Sequence, residues 1–112
     1  MIIIFKHFIP KGFIGLTIYP FVFLQEKKWT TNKVLINHER IHLKQQLELL
    51  IIPFFIIYFL EFLYGLFIYK NKYLAYKNIS FEREAYQNES NMQYLKERSF
   101  WNFLKYLRNN DF

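Results

Sequence analysis

The first quarter of the chain has the composition of β-structure. Residues 2–9 and 13–24 are rich in Ile, Phe, Val, Tyr and Thr, which strands favour, and glycine and proline interrupt them. This pattern predicts two short strands joined by a turn. Residues 25–32 are polar and end in Thr31 and Asn32, either of which can cap a helix.

Helical periodicity replaces this pattern from Lys33 onwards. The expected helices are 33 to about 52, 54–69, a third from Asn78 or Ser80 to about Asn91, and 92–108. Pro53 interrupts the first two, and residues 70–78 are predicted to form a loop. The chain is therefore expected to be one α+β domain, residues 1–112, mostly α, with a short N-terminal β-hairpin followed by about four helices.

One apolar segment, from Leu49 to Tyr69, is long enough to span a bilayer. Its single charged residue, Glu61, would raise the free energy of insertion by about 3 kcal/mol, which the many Phe, Ile and Leu residues could offset. Hydropathy alone leaves a transmembrane helix and a helix packed on the protein as equal alternatives.

Composition and charge narrow the class of protein. Of 112 residues 53% are hydrophobic and 22% aromatic, which excludes disorder because burial of this surface offsets the ordering entropy. Core packing explains most aromatic side chains, and those that so small a core leaves exposed would face a membrane or a partner. The net charge is +6, but the basic residues are scattered from Lys6 to Arg108 and no nucleic-acid motif is present. We therefore expect no nucleic-acid partner.

The N-terminal apolar run is not expected to be a cleavable signal peptide. No small-residue cleavage site follows it, because the next residues are Gln, Glu and two Lys at 25–28. The expected location is the cytoplasm or the cytoplasmic side of a membrane.

Residues 38–42, with the sequence HERIH, give the strongest chemical signal. His38 and His42 are four residues apart on a predicted helix and share a face, so both imidazoles can bind one metal ion. Glu39 lies beside that face, where its carboxylate can take a proton from a metal-bound water. The chain has no Cys, so any metal must be held by His, Asp or Glu, and these ligands suit zinc. The alternative is an ordinary helix with surface histidines.

A catalytic zinc site needs a third protein ligand and leaves the fourth position open. Glu82 is the best candidate. On a helix it shares a face with Ala85, Tyr86 and Glu89, and the small Ala85 would let this helix approach the motif helix. Glu84 points about 200° away and is expected to face outward. The alternative for Glu82 is a solvated carboxylate in a first turn, which stabilises the helix dipole.

HExxH followed by an ExxA helix resembles the gluzincin zinc metallopeptidases. Within them it is similar to the HtpX-like and CAAX-prenyl-protease families, the BlaR-type sensor peptidases and small uncharacterised bacterial HExxH proteins. The resemblance covers residues 33–50 and 79–90. The matching residues are His38, Glu39, His42, Gln45, Gln46, Glu82 and Ala85. It implies that Glu82 is the third zinc ligand. The chain departs from the family pattern at Tyr86, where these families have an Asp that supports a ligand histidine; Glu89 or a backbone carbonyl could replace it.

A zinc site would also constrain the apolar segment. One straight transmembrane span would put His42 and Glu82 on opposite sides of the membrane, whereas a zinc ion needs both within about 2 Å. A break at Pro53 removes this conflict, because the second helix could then fold back or the 70–78 loop could run back. We therefore expect helix 54–69 to pack in the core or to lie against a membrane surface.

Other residues are weaker candidates. His7 follows a strand-like run and is expected to be a surface or half-buried histidine rather than a ligand. Tyr86 and Arg83 could stabilise an oxyanion, because zinc peptidases recruit Tyr, His or Arg for this. The strand in residues 14–24 resembles the edge strand against which zincins bind extended peptides.

These observations predict a zinc-dependent hydrolase. The resemblance to gluzincins implies a peptide or protein substrate that is cleaved at a peptide bond, whereas water activated by zinc would serve other acyl or amide bonds equally well. Zinc would be held by His38, His42 and Glu82, while Glu39 would act as general base and then pass the proton to the leaving amine. Two alternatives involve no catalysis. One is a zinc-binding protein whose site is closed by a fourth protein ligand and has no cleft. The other is a small membrane protein in which HExxH is coincidental.

Overall fold

The structure, a computed structural model, describes residues 1–5 and 13–107. The predictions for His7 and for the turn before residue 13 lie outside these ranges. Within them the fold is α+β and mostly α, as predicted, because a small N-terminal sheet is followed by five α-helices.

The sheet contains three strands in the described residues. They are β1, Ile2–Ile4; β2, Gly15–Ile18; and β3, Phe21–Leu24. Their order is β1-β3-β2, with β1 parallel to β3 and β2 antiparallel to it. The predicted second strand, 13–24, is therefore a hairpin in its own right. Tyr19 and Pro20 form its turn, since proline lacks the N–H group that a strand interior uses.

The helices follow the sheet with short connections. They are α1, Lys33–Leu49; α2, Ile51–Tyr69; α3, Lys72–Lys77; α4, Ser80–Asn88; and α5, Tyr94–Glu97. Two 3-10 helices, Lys27–Thr31 and Asn102–Tyr106, precede α1 and follow α5. Asn32 caps α1, because its side chain accepts a hydrogen bond of 3.0 Å from the Leu35 N–H.

The break between α1 and α2 falls at Leu50 and not at Pro53. Leu50 has φ 70°, which few residues other than glycine adopt, and the chain changes direction there. Pro53 lies in the first turn of α2, where its missing N–H group would have no intrahelical partner. The ring centroids of His42 and Phe54 are 6.4 Å apart, so the start of α2 lies beside α1. The expected break exists, at an earlier residue.

Helix α3 occupies most of the predicted 70–78 loop, so that prediction is wrong. Asn71 caps α3 through a hydrogen bond of 2.9 Å from the Leu74 N–H. Gly65 of α2 approaches Ala75 so closely that a Cβ atom at Gly65 would lie 2.9 Å from the Ala75 Cα atom. Packing on α2 therefore stabilises a helix that would be too short to form alone.

The C-terminal segment is not the single helix predicted for 92–108. Helix α5 is one turn long, and Trp101 adopts φ 57° before the 3-10 helix begins. This bend lets Phe103 join the core and lets Arg98 reach two buried carboxylates. The described residues contain two buried apolar clusters, one of Phe54, Ile79, Phe81 and Phe103 and one of Ile41, Ala85 and Tyr94.

Candidate metal centre

Two histidines of α1 and one glutamate of α4 converge in the interior. His38 and His42 are one turn apart on α1, and Glu82 is in the first turn of α4. The Nε2 atoms of the two histidines are 3.2 Å apart, and Glu82 Oε1 lies 3.2 Å from His38 Nε2 and 3.0 Å from His42 Nε2. All three residues are buried. This is the ligand group predicted from the sequence, and it could hold a metal ion.

The spacing of the donor atoms fits zinc. Three ligands on a tetrahedral zinc ion, with bonds of about 2.0–2.1 Å, lie roughly 3.3 Å apart. The separations here are 3.0–3.2 Å. Two imidazoles and one carboxylate also form the ligand set of many catalytic sites. Among the described residues no fourth His, Cys, Asp or Glu joins this group.

The outer nitrogen of each histidine in this group has a fixed partner. His38 Nδ1 lies 2.7 Å from Glu89 Oε1, and His42 Nδ1 lies 2.8 Å from Gln45 Oε1. Both partner atoms are acceptors, so each Nδ1 carries a proton, and Nε2 is the nitrogen of each ring that faces the shared position. The chain has Tyr86 where the related families have an Asp that supports a histidine. In this structure Glu89, rather than a backbone carbonyl, makes that contact with His38.

Gln45 links the ligand His42 to the neighbouring helix. Its Nε2 donates to the Phe81 carbonyl at 3.1 Å and to Glu84 Oε1 at 2.9 Å. These bonds use both amide hydrogens, which leaves Oε1 as the acceptor for His42. The orientation of His42 is therefore set by Gln45 of α1, which hydrogen bonds to α4 hold in place.

Glu84 is fully buried, so the expectation that it faces outward is wrong. It accepts hydrogen bonds from Tyr94 Oη and Arg98 Nε, both at 2.5 Å, and Arg98 also donates to Glu48 at 2.6 Å. The side chains of Arg98, Glu84 and Glu48 are at most 1% exposed. Glu84 points away from the ligand face, but that side of α4 is covered by the C-terminal segment rather than by solvent.

Helix α2 holds the second oxygen of Glu82. Tyr58 Oη donates to Glu82 Oε2 at 2.7 Å, which leaves Oε1 for the histidines. Burial alone would raise the pKa of Glu82, but the charges of His42 and His38 and their hydrogen bonds outweigh it and hold the pKa well below its usual range. Glu82 is therefore a carboxylate at neutral pH, which is the form that binds metal.

His42 carries the complementary charge when no metal is bound. Burial alone would lower its pKa, but the Glu82 carboxylate, followed by the charge of Glu39 and a hydrogen bond to Gln45, raises the pKa to about 9. A proton on His42 thus balances Glu82 at pH 7. A metal ion must displace this proton on binding.

The predicted general base, Glu39, is held by β2. Thr17 Oγ1 donates to Glu39 Oε1 at 2.5 Å. Gly15 is on the same face of the strand, and a Cβ atom there would lie 3.1 Å from Glu39 Oε2. The absence of a side chain at Gly15 therefore leaves room for the carboxylate.

A cavity of about 240 Å³ opens over the ligands and Glu39. It is lined by His38, Glu39, His42 and Glu82 together with residues of β2 and α2. A second, apolar groove of about 770 Å³ adjoins it. The two share Phe13, Phe55, Tyr58 and Tyr76. The site thus has a cleft with two parts. Below, the part over His38, His42, Glu82 and Glu39 is called the cavity, and the adjoining part is called the apolar groove.

Strand β2 is an edge of the sheet within the described residues. Antiparallel pairing with β3 turns the backbone groups of alternate residues, Gly15 and Thr17, away from the sheet. Gln46 of α1 covers part of this edge, because its Nε2 donates to the Thr17 carbonyl at 2.8 Å and its Oε1 accepts from the Tyr19 N–H at 2.6 Å. Gly15 lines the cavity.

The two candidates for stabilising an oxyanion lie in different places. Arg83 donates to the Tyr106 carbonyl at 2.9 Å and lies outside the residues that line the cavity. Tyr86 packs on His38, with ring centroids 4.5 Å apart, and its hydroxyl is 2.7 Å from that of Tyr76. Tyr76, which the sequence did not single out, lines the cavity itself.

Sequence reasoning missed Tyr58 and Thr17, which hold Glu82 and Glu39. Neither residue has a fixed spacing from the motif, because each belongs to an element that reaches the site only through the tertiary fold. One signal could have indicated Thr17, namely a small and a hydroxyl residue, Gly15 and Thr17, on one face of the strand before the motif helix.

Comparisons of the chain with protein-family models, with curated proteins and with solved structures find no match.

Proposed function

We propose that the protein is a zinc-dependent peptidase of the gluzincin type, with zinc held by His38, His42 and Glu82. The observation that carries the proposal is that the three ligands and the Glu39 carboxylate line one cavity. A structural zinc site would have a fourth protein ligand, and the described residues supply none. A coincidental HExxH would give no reason for a carboxylate from another helix to meet both Nε2 atoms.

The mechanism assigns one task to each group. When bound, zinc would supply a Lewis acid that polarises the scissile carbonyl and makes water nucleophilic near pH 7. Glu39 accepts the proton of the attacking water and returns it to the nitrogen of the leaving amine. Thr17 occupies Glu39 Oε1, so Oε2 is the oxygen that carries this proton. Thr17 is in this respect a positioning residue.

Strand β2 supports a peptide as the substrate. An extended peptide can add to the outward backbone groups at Gly15, which lines the cavity next to Glu39. Main-chain hydrogen bonds of this kind bind peptides of many sequences. Gln46 limits the free edge on the side of Tyr19, so the added strand would be short.

The apolar groove supports a preference among peptides. It shares four aromatic residues with the cavity, so a side chain next to the scissile bond could extend into it. Its size and lining fit a large aliphatic or aromatic side chain. We therefore propose cleavage beside such a residue.

The test combines metal analysis with a peptide assay. We expect about one zinc per chain, lost in His42→Ala and Glu82→Ala. Glu39→Gln should keep the zinc and lower kcat on quenched fluorescent peptides by roughly 10²–10⁴-fold. Glu97→Gln, an exposed substitution, is the matched control and should leave both unchanged.

Two results would overturn the proposal. The first is that the wild type binds zinc tightly but is as inactive as Glu39→Gln on a random peptide library. This result would indicate a structural zinc site. Failure of the wild type to bind added zinc would indicate that the convergence of the three ligands serves another purpose.

A further inference from the structure

One face of α2 is apolar and exposed along the whole helix. Its large exposed side chains, here called the α2 stripe, are Ile52, Ile56, Phe59, Leu60, Leu63, Tyr64, Phe67 and Ile68. With Pro53 they make up all the exposed residues of α2. At about 3.6 residues per turn they cover roughly half of its circumference. The Tyr64 hydroxyl is the one polar side-chain group among them.

The opposite face of α2 is the one that packs on the protein. Phe54 joins the core, Gly65 contacts α3, and Tyr58 and Glu61 bond to α4. No described residue covers the stripe, and Phe67 is 81% exposed. A continuous apolar surface of this kind marks contact with a membrane or another molecule.

The charge beside the stripe favours a membrane. Helices α2 and α3 contain one acidic residue, Glu61, whose carboxylate accepts bonds of 2.7 and 2.8 Å from the N–H and hydroxyl of Ser80. Lys70 and Lys72 are exposed at the C-terminal end of α2, and the whole chain has a net charge of +6. Basic side chains next to an apolar helix face complement anionic lipid, whereas they would repel a second copy of the chain.

We propose that the α2 stripe lies in the boundary between headgroups and acyl chains of a bilayer that contains anionic lipid, with α2 parallel to the membrane. With 19 residues, α2 is about 28 Å long, and among the described residues it is the one helix long and apolar enough to span. An orientation in the plane fits better, because only half of the helix is uncovered. Spanning would place Glu61 and the polar groups of α4 at the depth of the hydrocarbon.

The placement has a consequence for access to the site. Phe59 belongs to the α2 stripe and also lines the apolar groove, so the groove opens at the margin of the lipid-facing surface. This consequence rests on the proposed function, since it concerns how a substrate segment reaches the cavity. Lipid binding by the stripe does not rest on it and can be tested without zinc or substrate.

The first experiment measures flotation of the full chain with vesicles. We expect it to float with phosphatidylcholine vesicles that contain about 25% phosphatidylglycerol and to bind pure phosphatidylcholine more weakly. The double variant Leu60→Glu, Phe67→Glu should bind about tenfold less, because two charges would enter the boundary. Met92→Glu, an exposed apolar position outside the stripe, is the control and should bind like wild type.

Two outcomes of the flotation experiment would overturn the proposal: the wild type fails to float with either vesicle, or the double variant floats equally well. A sedimentation velocity measurement without lipid gives a third. A dimer of the wild type that the double variant abolishes would assign the stripe to a second copy. Circular dichroism of each variant checks that it is folded.

The second experiment measures depth. The chain has no Cys, so Ile56→Cys and Phe67→Cys each give a single site for a nitroxide label. In-plane placement predicts similar depths for both labels, about 5–10 Å below the headgroup boundary. A label at the bilayer centre with the other near the headgroups would show that α2 spans, and would refute the orientation proposed here.

Discussion

Helices α1 and α2 follow each other in the chain but differ in which kinds of side chain they bury and expose. The buried residues of α1 are Asn37, His38, Glu39, Ile41, His42, Gln45 and Gln46. Its exposed residues are Lys33, Arg40, Lys44 and Leu47. Helix α2 buries Phe54 and Gly65 and exposes the apolar stripe. Polar groups thus fill the interior beside α1, whereas apolar groups form the surface of α2.

This difference separates two sources of order in a small protein. A helix that only built a core would turn apolar residues inward and polar residues outward, and neither helix does so. Buried polar groups lower stability unless they are paired, and those of α1 have partners on β2, α4 or the segment after α4, as Asn37 shows with a bond of 2.8 Å to the Glu89 carbonyl. The interior of α1 is therefore held by specific hydrogen bonds, and the exterior of α2 needs a neighbour other than water.

The strongest way to break the polar interior is to remove Arg98. Arg98→Met leaves Glu84 and Glu48 buried without their cation, so we expect the free energy of unfolding to fall by about 3–5 kcal/mol. Chemical denaturation of the metal-free protein measures this. Arg40→Met, on the exposed side of α1, is the control and should change stability by less than about 0.5 kcal/mol. Equal losses of unfolding free energy in the two variants would show that the buried ion pairs of Arg98 do not stabilise the interior more than an exposed arginine does.

The pH dependence of the metal-free protein tests the same interior. The folded pKa of His42 is raised from 6.5 to about 9, so its contribution to stability is fully present below pH 6.5 and is lost as the pH rises through 9. Glu82, whose pKa is lowered from 4.5, contributes above pH 4.5 and loses its effect as the pH falls. Because they form one ion pair, the metal-free protein should be most stable between about pH 4.5 and 6.5.

Zinc should change this profile. The metal replaces the proton on His42, so the zinc-loaded protein should not lose stability between pH 6.5 and about 9. Denaturation at pH 6, 7.5 and 9, with and without zinc, measures both profiles. A metal-free protein that gains stability over this interval would show that the assignment of the proton to His42 is wrong.

A smaller effect, on zinc affinity, is expected from changing Gln45, which contacts His42 and is not itself a candidate ligand. Gln45→Leu removes the acceptor for His42 Nδ1, so we expect zinc affinity to fall by about 10–100-fold, and circular dichroism checks that the variant is folded. Competition with a zinc-binding dye measures the change. Gln87→Leu is the matched control on the surface of α4, and zinc affinity equal in the two variants would argue against a role for Gln45.

The smallest effect is expected on the outside of α2. Phe67→Gln should change the free energy of unfolding in lipid-free buffer by less than about 0.5 kcal/mol, because this side chain is 81% exposed. Phe54→Ala, on the buried face of the same helix, should cost about 3–5 kcal/mol. A large loss in Phe67→Gln would mean that the stripe is covered in solution, and the contrast between the two helices would then fail.

Helical periodicity predicts which side chains of one helix share a face, and this was enough to identify the three candidate ligands. The spacing of His38 and His42 sets their common face, and the same argument relates Glu82 to Ala85 on α4. Periodicity gives directions relative to a helix, not the position of solvent. The prediction for Glu84 is wrong for this reason, because α4 is also covered on the side opposite Glu82.

The other differences between the predicted and the observed fold arise from contacts between residues that are distant in the sequence. The turn at Leu50 uses a backbone conformation that nothing in Leu itself favours, and α3 depends on the close approach of Gly65 and Ala75. The bend in the C-terminal segment likewise follows from where Arg98 and Phe103 find partners. Local propensity cannot supply these contacts, whereas the mostly helical α+β class needed only the pattern of apolar residues.

The bonds from α2 to α4 have a consequence for how the molecule could respond to its surroundings. Tyr58 holds Glu82, and Glu61 holds Ser80 at the start of the same helix. The third candidate ligand is therefore fixed by α2, while the other two belong to α1. Any agent that shifts α2 relative to α1 must change the affinity for metal, and metal must change the affinity for that agent by the same factor. Under our two proposals that agent is the lipid surface, and the two binding equilibria are then thermodynamically linked.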